Sequence, residues 1–338
     1  MNRVLICLIG KRTTHNVQFI KYFDGFYDQL VFLTTPQMER TDFNPSGWIL
    51  NSLNIPEEEV KKVFISAYDI RETEAALKAE NFSKEPTYYI NITGGNKLMT
   101  LYTYSFFQNY NAKMFFFPDN QKHFIELGEE NNIIPLTEEL SLREYVKAHG
   151  LEIFESARRG RPFEESKRLM QKYIAKNGNI NRIPEVKFAS RNLNTEDKVF
   201  YSGGWYEEYI YYSLKRGLNI PDNQIAMKIK IRGRHSTNEY DIIFVKNDKI
   251  YVVECKAYFG KGNLKNKIEN DLYKLAALED EFGMRARALY FTTFDIAGRD
   301  PHVNEVIKKR AKELKIKLFQ MEDMINEKFI KEIKSWFE

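Results

Sequence analysis

The chain has 338 residues, 43% hydrophobic and 29% charged, which suits globular domains with real cores and excludes wholesale disorder. No apolar run approaches the ~18 to 20 residues that span a bilayer, and "VLICLIG" runs straight into "KRTT" without a cleavage site, so it reads as a buried strand and not a signal peptide. The net charge of +4 is uneven: residues 1–140 hold 13 Lys and Arg against 18 Asp and Glu, whereas residues 141–338 hold 38 against 29, a basic surplus that suits a polyanionic partner.

The first 135 residues alternate strand and helix signals. Strands are predicted at 4–10, 29–33, 62–66, 87–92 and 112–117, with helices between them that include 70–81 and 96–110. Strands apolar on both faces and separated by helices predict a parallel, Rossmann-like sheet covered on both sides. "HFIEL" and "NIIPL" read as a closing hairpin. Residues 139–197 change character: "SLREYVKAHG" and "FEESKRLMQKYIAKNG" are basic helices with glycine stops, predicting a small helical connector. It is either a winged-helix-like DNA reader or a structural spacer. From 198 onward a second α/β domain is predicted. A helix follows the Gly-Gly pair in "SGGWYEEYIYYSLKR", and strands fall at 225–231, 240–246 and 249–256. A long helix near 265–282, a strand at 286–293, "KIKLFQ" and a C-terminal helix complete it. Cys7 and Cys255 each lie within an apolar strand, predicting buried thiols in a reducing, cytoplasmic compartment and too few cysteines for a zinc site.

"YDIIFVKNDKIYVVECKAY" (240–258) breaks the apolar pattern with charge. Asn247–Asp248 is a two-residue turn signal, so Lys246 should pair with Lys249 and Asp241 should lie opposite Glu254. Alternation puts Lys256 on the face of Glu254. The E-x-K triplet occurs seven times in the chain, but only at Glu254 does it interrupt a clearly apolar strand. Carboxylates opposed at ~4.5 to 5.5 Å repel unless a cation lies between them. The bland reading is a Glu254–Lys256 pair on a wet face, for which this strand leaves little room. The functional reading is a Mg²⁺ or Mn²⁺ site held by Asp241, Glu254 and the Cys255 carbonyl, with Lys256 orienting the nucleophile. Lys261, Lys265 and Lys267 would then either contact phosphates at the cleft edge or form an exposed basic loop.

These residues resemble the PD-(D/E)xK nuclease core, with Tyr240 where a proline often precedes the aspartate. The resemblance implies a further glutamate from the first helix of the domain. "GGWYEEYIY" offers Glu207 and Glu208, and Glu207 is favoured.

Near the end of the first sheet, "YYINITGGNKLMTLYTYSFF" passes from a strand through Thr93-Gly94-Gly95-Asn96-Lys97 into a helix. Amides at such a helix start bind anions or nucleotides, although a plain structural turn reads the same way. Neither G-x-G-x-x-G nor a Walker motif is present, which disfavours NAD and Walker-type ATP binding. "NITGGNKLM" is similar to the T-G-G-T-K-x-M signature of CRISPR-associated Rossmann-fold (CARF) sensor domains joined to a PD-(D/E)xK nuclease, with Asn96 in place of the usual threonine. "VLICLIGKRTTHN", "LTTPQM", "GGWYEEYIY" and "NDLYKLAAL" extend the likeness over most of the chain. The resemblance implies a CARF domain at 1–138, the connector at 139–197 and a restriction-endonuclease-like domain at 198–338. It implies a homodimer that binds a cyclic oligoadenylate, most often cyclic tetra-adenylate, as an allosteric activator of metal-dependent cleavage. The substrate would be single-stranded DNA, RNA or supercoiled DNA. Thr14, Asn16, Thr93, Gly94, Gly95, Asn96 and Lys97 match the ligand-loop positions, while Glu207, Asp241, Glu254 and Lys256 match the catalytic ones. The rival readings are a non-catalytic nucleotide-sensing regulator that binds nucleic acid and a stand-alone restriction or repair nuclease.

Overall fold

A computed structural model describes the chain apart from residues 1, 119–120, 129, 131, 157–159, 177–181, 185–193, 234–235, 259–263, 283–285, 294–300 and 338. Lys261 therefore lies outside the described residues. The chain divides into two compact units, Met1–Glu152 and Ile153–Glu338. Among the described residues no helix is long and apolar enough to cross a membrane.

The first unit is built on β1 (Arg3–Leu8), β2 (Gln29–Thr34), β3 (Val60–Phe64), β4 (Thr87–Asn91), β5 (Ala112–Phe116), β6 (His123–Leu127) and β7 (Asn132–Pro135). Their order is β3-β2-β1-β4-β5-β6-β7. The first five pair in parallel, and β6 and β7 add the expected antiparallel hairpin. Strand β1 is buried from Val4 to Leu8, as its unbroken apolar run requires for a strand covered on both faces. The crossovers carry α1 (Thr14–Tyr22), α2 (Pro45–Leu53), α3 (Ile70–Ala79) and α4 (Lys97–Phe107). Strand order reverses between β1 and β4, so the loops leaving those two strands border a crevice at the carboxyl edge of the sheet.

The second unit holds β8 (Glu152–Ser156), β9 (Ile225–Arg232), β10 (Thr237–Lys246), β11 (Lys249–Lys256), β12 (Arg287–Thr292) and β13 (Lys317–Phe319), in the order β13-β12-β11-β10-β9-β8. The hairpin register is the expected one. Lys246 faces Lys249, and four further pairs follow to Ile242 and Val253. Both turn residues, Asn247 and Asp248, have φ above +50°, as a type I′ turn demands. Phe244 and Tyr251 stack directly across the strands at 4.6 Å. Beyond β11 the pairing turns parallel, to β12 and then β13.

The segment expected as a connector is shared between the units. Helix α5 (Leu142–Ala148), started by a Ser141–Glu144 capping box, packs on α2, where the Ser52 hydroxyl donates to the Glu144 carbonyl at 2.9 Å. Helix α6 (Phe163–Ala175) buries Phe163, Leu169, Met170 and Tyr173 in the core of the second unit. A short α7 (Thr195–Val199) and one π-helical stretch, Phe200–Gly204, then lead into α8 (Trp205–Gly217). Strand β8 was not expected: "EIFES" is short and carries two glutamates, and only its place at the sheet edge makes it a strand. Helices α9 (Leu264–Asp280), α10 (Pro301–Glu313), α11 (Met321–Met324) and α12 (Lys328–Lys334) complete the unit.

Candidate active site and ligand loop

The acidic hairpin gathers its charges where β10, β11 and α8 meet. Asp241 and Glu254 are the next pair along the observed register, but the Asp241 carboxylate also takes part in the backbone bonding: its Oδ2 accepts from the Cys255 N–H at 2.8 Å. The Lys256 ammonium lies 2.5 Å from Glu254 Oε1 and 3.7 Å from Asp241 Oδ2, bridging the two acids. The Glu254 side chain is only 3% exposed. Burial and then the Glu207 charge push Asp241 up to about 6, although Lys256 and the Cys255 N–H pull it back. Burial and then Asp241 raise Glu254 as well. Burial works against charge on Lys256, yet the two carboxylates outweigh it and hold the ammonium well above its ordinary value. The Cys255 thiol is fully buried and raised by that burial, which leaves it inert as a nucleophile.

The two helix glutamates part company by geometry, since neighbours on a helix point about 100° apart. Glu207 lies within electrostatic reach of Asp241, Glu254 and Lys256, and burial raises its carboxyl. Glu208 turns instead to the segment before α6, where its Oε2 accepts from the Arg161 N–H at 3.1 Å. Tyr206, Tyr209 and Ile210 pack into the core, the face expected of them.

Sequence reasoning missed three groups here. Lys228 on β9 lies 3.4 Å from Glu207 Oε2, and Lys274 on α9 lies 3.8 Å from Glu254 Oε1. Asp271, one turn before Lys274, accepts from the hydroxyls of Tyr258 (2.5 Å) and Tyr290 (3.1 Å), tying α9 to the sheet. Lys228 in an amphipathic strand looks like an ordinary surface residue, whereas Asp271 and Lys274 lie within "NDLYKLAAL", whose likeness marked the stretch without giving either residue a role. Lys265 is half-buried and Lys267 exposed at the start of α9.

The donors present fit a hard divalent cation. They are oxygens, two of them on the half-buried Asp241 and the buried Glu254, whose neutral forms are favoured first by burial and then by a neighbouring carboxylate, Glu207 for Asp241 and Asp241 for Glu254; a cation would relieve that repulsion. Among the described residues no three His, Cys, Asp or Glu side chains close around one point. Two carboxylates with a backbone carbonyl and waters is the arrangement open to Mg²⁺ or Mn²⁺ here.

In the first unit, the loops after β1 and β4 meet at the crevice. A Cβ on Gly10 would fall 2.6 Å from the Gly95 nitrogen, and one on Gly94 would fall 1.7 Å from the Leu8 carbonyl oxygen, so no side chain fits at either position. Gly95 has φ +70°. Beneath the loop lies a buried polar network. Asn16 donates to the Leu8 carbonyl at 3.1 Å and accepts from Asn91 Nδ2 at 2.7 Å. Asn91 Oδ1 in turn accepts from the Thr93 N–H (3.1 Å) and hydroxyl (2.6 Å), and the Thr93 hydroxyl accepts from the Phe117 N–H at 2.8 Å. Asn96 caps α4 by accepting from the Met99 N–H at 3.0 Å and donates to the Ala67 carbonyl at 2.7 Å. Thr14 is buried at the start of α1. Asn16, Thr93 and Asn96 are thus engaged within the protein. The loop turns outward with Gly95 and Lys97, both exposed, beside exposed Lys11 and Arg12 of the β1 loop. Asn91, the hub of the network, was also missed; an asparagine ending the apolar run "TYYIN" was its one signal.

Comparison with known proteins decides the family. Residues 4–145 match the Card1 CARF domain, and residues 194–337 match the Card1-like endonuclease domain. The chain belongs to the Card1-like family of CARF–nuclease fusions. A search of curated proteins gives no match. Among solved structures, Can2 from Sulfobacillus thermosulfidooxidans in complex with cyclic tetra-adenylate is similar over 100% of both chains, at 18% identity and TM-score 0.73. Protein VC1899 from Vibrio cholerae is similar over 99% of this chain and 98% of its own, at 16% identity and TM-score 0.76. A type III CRISPR defence DNA nuclease activated by cyclic oligoadenylate matches 86% of this chain and 45% of its own, at 17% identity and TM-score 0.57. These likenesses extend the two-domain fold of this CARF–nuclease over its full length. The two family matches put the glycine loop in the CARF domain and the acidic hairpin in the endonuclease domain.

Proposed function

We propose that this CARF–nuclease is a metal-dependent endonuclease of type III CRISPR defence, switched on by a cyclic oligoadenylate bound at the glycine loop. The observation that carries the reading is the pairing of a loop built for close backbone approach at the switch point of one sheet with a bridged carboxylate pair on another. Can2, of the same fold and length, holds cyclic tetra-adenylate, which makes that ring the favoured activator. In this reading the Gly94–Gly95 amides and Lys97 receive phosphates, and Asn16, Thr93 and Asn96 hold the loop in shape.

A ring with even numbering has a two-fold axis, so its natural receptor is a homodimer that presents the same loop twice. Helix α4 starts at Lys97 and exposes Leu98, Leu101 and Tyr104 along one stripe, a face suited to a second copy that would bring both loops together.

At the nuclease site, Asp241, Glu254 and the Cys255 carbonyl would hold Mg²⁺ or Mn²⁺. When bound, the ion neutralises charge on the scissile phosphate and lowers the pKa of a coordinated water. Lys256 stays protonated beside the acids and donates to the phosphate or the attacking water as negative charge grows. Glu207 would orient that water or take its proton. Lys274, 58% exposed, can reach an incoming phosphodiester. Single-stranded DNA or RNA fits such a site, as does supercoiled DNA opened by nicking. The buried thiols suit a reducing cytoplasm.

The test is cleavage of labelled single-stranded DNA, single-stranded RNA and supercoiled plasmid with Mn²⁺ or Mg²⁺, with and without cyclic oligoadenylates of each ring size. Glu254→Ala serves as the control. Cleavage that depends on both activator and cation, and that Glu254→Ala abolishes, is expected. Activity indifferent to every ring, or retained by Glu254→Ala, would sink the reading.

A further inference from the structure

Eight described residues other than glycine have positive φ, and seven of them lie at turns or helix ends. The eighth is Lys228, at φ +50° within β9. A long side chain gains nothing locally from the left-handed region, so strain inside a strand needs a cause elsewhere. Its position is informative. The β9–β10 ladder runs from Tyr240↔Ile229 to Ile242↔Met227 and skips the pair between, which is Lys228 opposite Asp241. The backbone is distorted beside the first acid of the nuclease site.

The distortion redirects a side chain. Regular alternation would send Lys228 to the face opposite Met227, and Met227 packs in the core with Trp205, Tyr206 and Ile210 of α8. Yet the Lys228 ammonium lies against α8, 3.4 Å from Glu207 Oε2 and 3.2 Å from where a Cβ of Gly204 would stand. An ammonium at the amino end of a helix faces the unfavourable pole of its dipole, so the Glu207 carboxylate is what draws it there. Local kinks in strands next to active sites commonly re-aim one side chain in this way.

We propose that Lys228 is a positioning residue of the nuclease site, held in a strained conformation so that its ammonium fixes the Glu207 carboxylate toward Asp241 and Glu254. The inference rests on the nuclease reading above. Glu207 is otherwise a glutamate on the first turns of α8 with several rotamers open to it. Paired with Lys228, it keeps one of them, and Lys256 is left to the two hairpin acids and the phosphate.

The experiment compares Lys228→Gly and Lys228→Arg with wild type in two measurements: thermal melting without metal, and cleavage of labelled single-stranded DNA and RNA with Mn²⁺ and saturating cyclic tetra-adenylate. Glycine adopts the left-handed backbone freely but carries no ammonium. Lys228→Gly should melt at or above the wild-type temperature while kcat falls by about 10- to 100-fold, the usual loss when a supporting residue goes. Lys228→Arg should keep most of the activity. In a Glu207→Gln background, Lys228→Gly should cost nothing more, because its effect passes through Glu207. Wild-type kcat in Lys228→Gly would overturn the proposal, as would a clearly lowered melting temperature, which would mark a residue kept for the fold. An undiminished loss in the Glu207→Gln background would also overturn it, by showing that Lys228 acts on the substrate directly. Cleavage retained by Glu254→Ala would instead defeat the site reading itself, and this inference with it.

Discussion

Asp241→Asn should inactivate the nuclease and at the same time stabilise it, with a gain that grows above about pH 4 and is full above about pH 6. Burial, followed by the Glu207 charge, raises the Asp241 carboxyl to about 6, against about 3.9 for an unfolded aspartate. A raised folded pKa means that the fold prefers the neutral acid. Its contribution to stability is complete below about pH 4, fades as pH rises, and is gone above about pH 6. About two units at 1.36 kcal/mol each set an upper bound of ~3 kcal/mol. Asparagine is neutral at every pH, and its Oδ1 can still accept the Cys255 N–H that Asp241 Oδ2 accepts at 2.8 Å. Part of the gain is returned because Lys256 loses a partner 3.7 Å away, so ~1 to 2 kcal/mol is expected at pH 8. For a unit of this size that is roughly 3 to 7 °C in melting temperature. The assay is thermal melting of wild type and Asp241→Asn in EDTA at pH 8 and pH 4.5. Saturating Mn²⁺ at pH 8 should then narrow or reverse the difference, because only the wild type binds the ion well. A variant less stable than wild type at pH 8, or one equally stabilised at both pH values, would refute the electrostatic account of the site.

Three further outcomes follow from the geometry. Glu207→Ala should cost much more cleavage than Glu208→Ala, while Glu208→Ala should lower the melting temperature more, because it leaves the half-buried Arg161 N–H without its carboxylate acceptor; paired cleavage and melting measurements separate the two. Lys97→Ala should weaken activator binding by on the order of 1.5 to 3 kcal/mol per charged hydrogen bond lost, and so shift the activator concentration for half-maximal cleavage at least tenfold with the same plateau; an unmoved curve would place sensing elsewhere. Leu101→Asp sets a charge in the exposed α4 stripe and should turn a dimer into a monomer in sedimentation without changing the melting of the CARF domain; a persistent dimer would assign the interface to another face.

How much of this was legible depended on whether sequence or tertiary contact decides the feature. The β10–β11 register was legible because two apolar strands joined by Asn247–Asp248 admit few pairings, and Phe244 against Tyr251 rewards the one adopted. The parallel, Rossmann-like character of the first sheet followed from unbroken apolar strands alternating with helices, whereas its strand order did not. The division of 139–197 was not legible, because α5 and α6 both read as basic helices with an apolar face. Only their partners, α2 for one and α8 for the other, assign them to different units. Lys228 was invisible for a stricter reason: positive φ at a lysine has no sequence signature, so the strained residue reads as an ordinary polar position in β9.

The ligand loop shows where a motif stops being informative about atoms. A threonine or asparagine in such a motif has the same chemistry whether it meets a ligand or ties its own backbone. Here Asn91 has both side-chain groups committed to Asn16 and Thr93, and Thr93 passes the bonding on to Phe117, just past the end of β5. Burying that network is tolerable only because each polar atom in it finds a partner. What it secures is the approach of Gly94 to Leu8 and of Gly95 to Gly10, contacts that leave no room for side chains. The residues that make the motif recognisable are therefore largely those that hold the loop, and in the proposed function recognition would fall to groups with little sequence identity of their own: the amides of two glycines and one exposed lysine. On that footing substitutions at Asn16, Thr93 or Asn96 act on the ligand through loop order, whereas Lys97 acts on it directly, which is why Lys97 is the residue to test first.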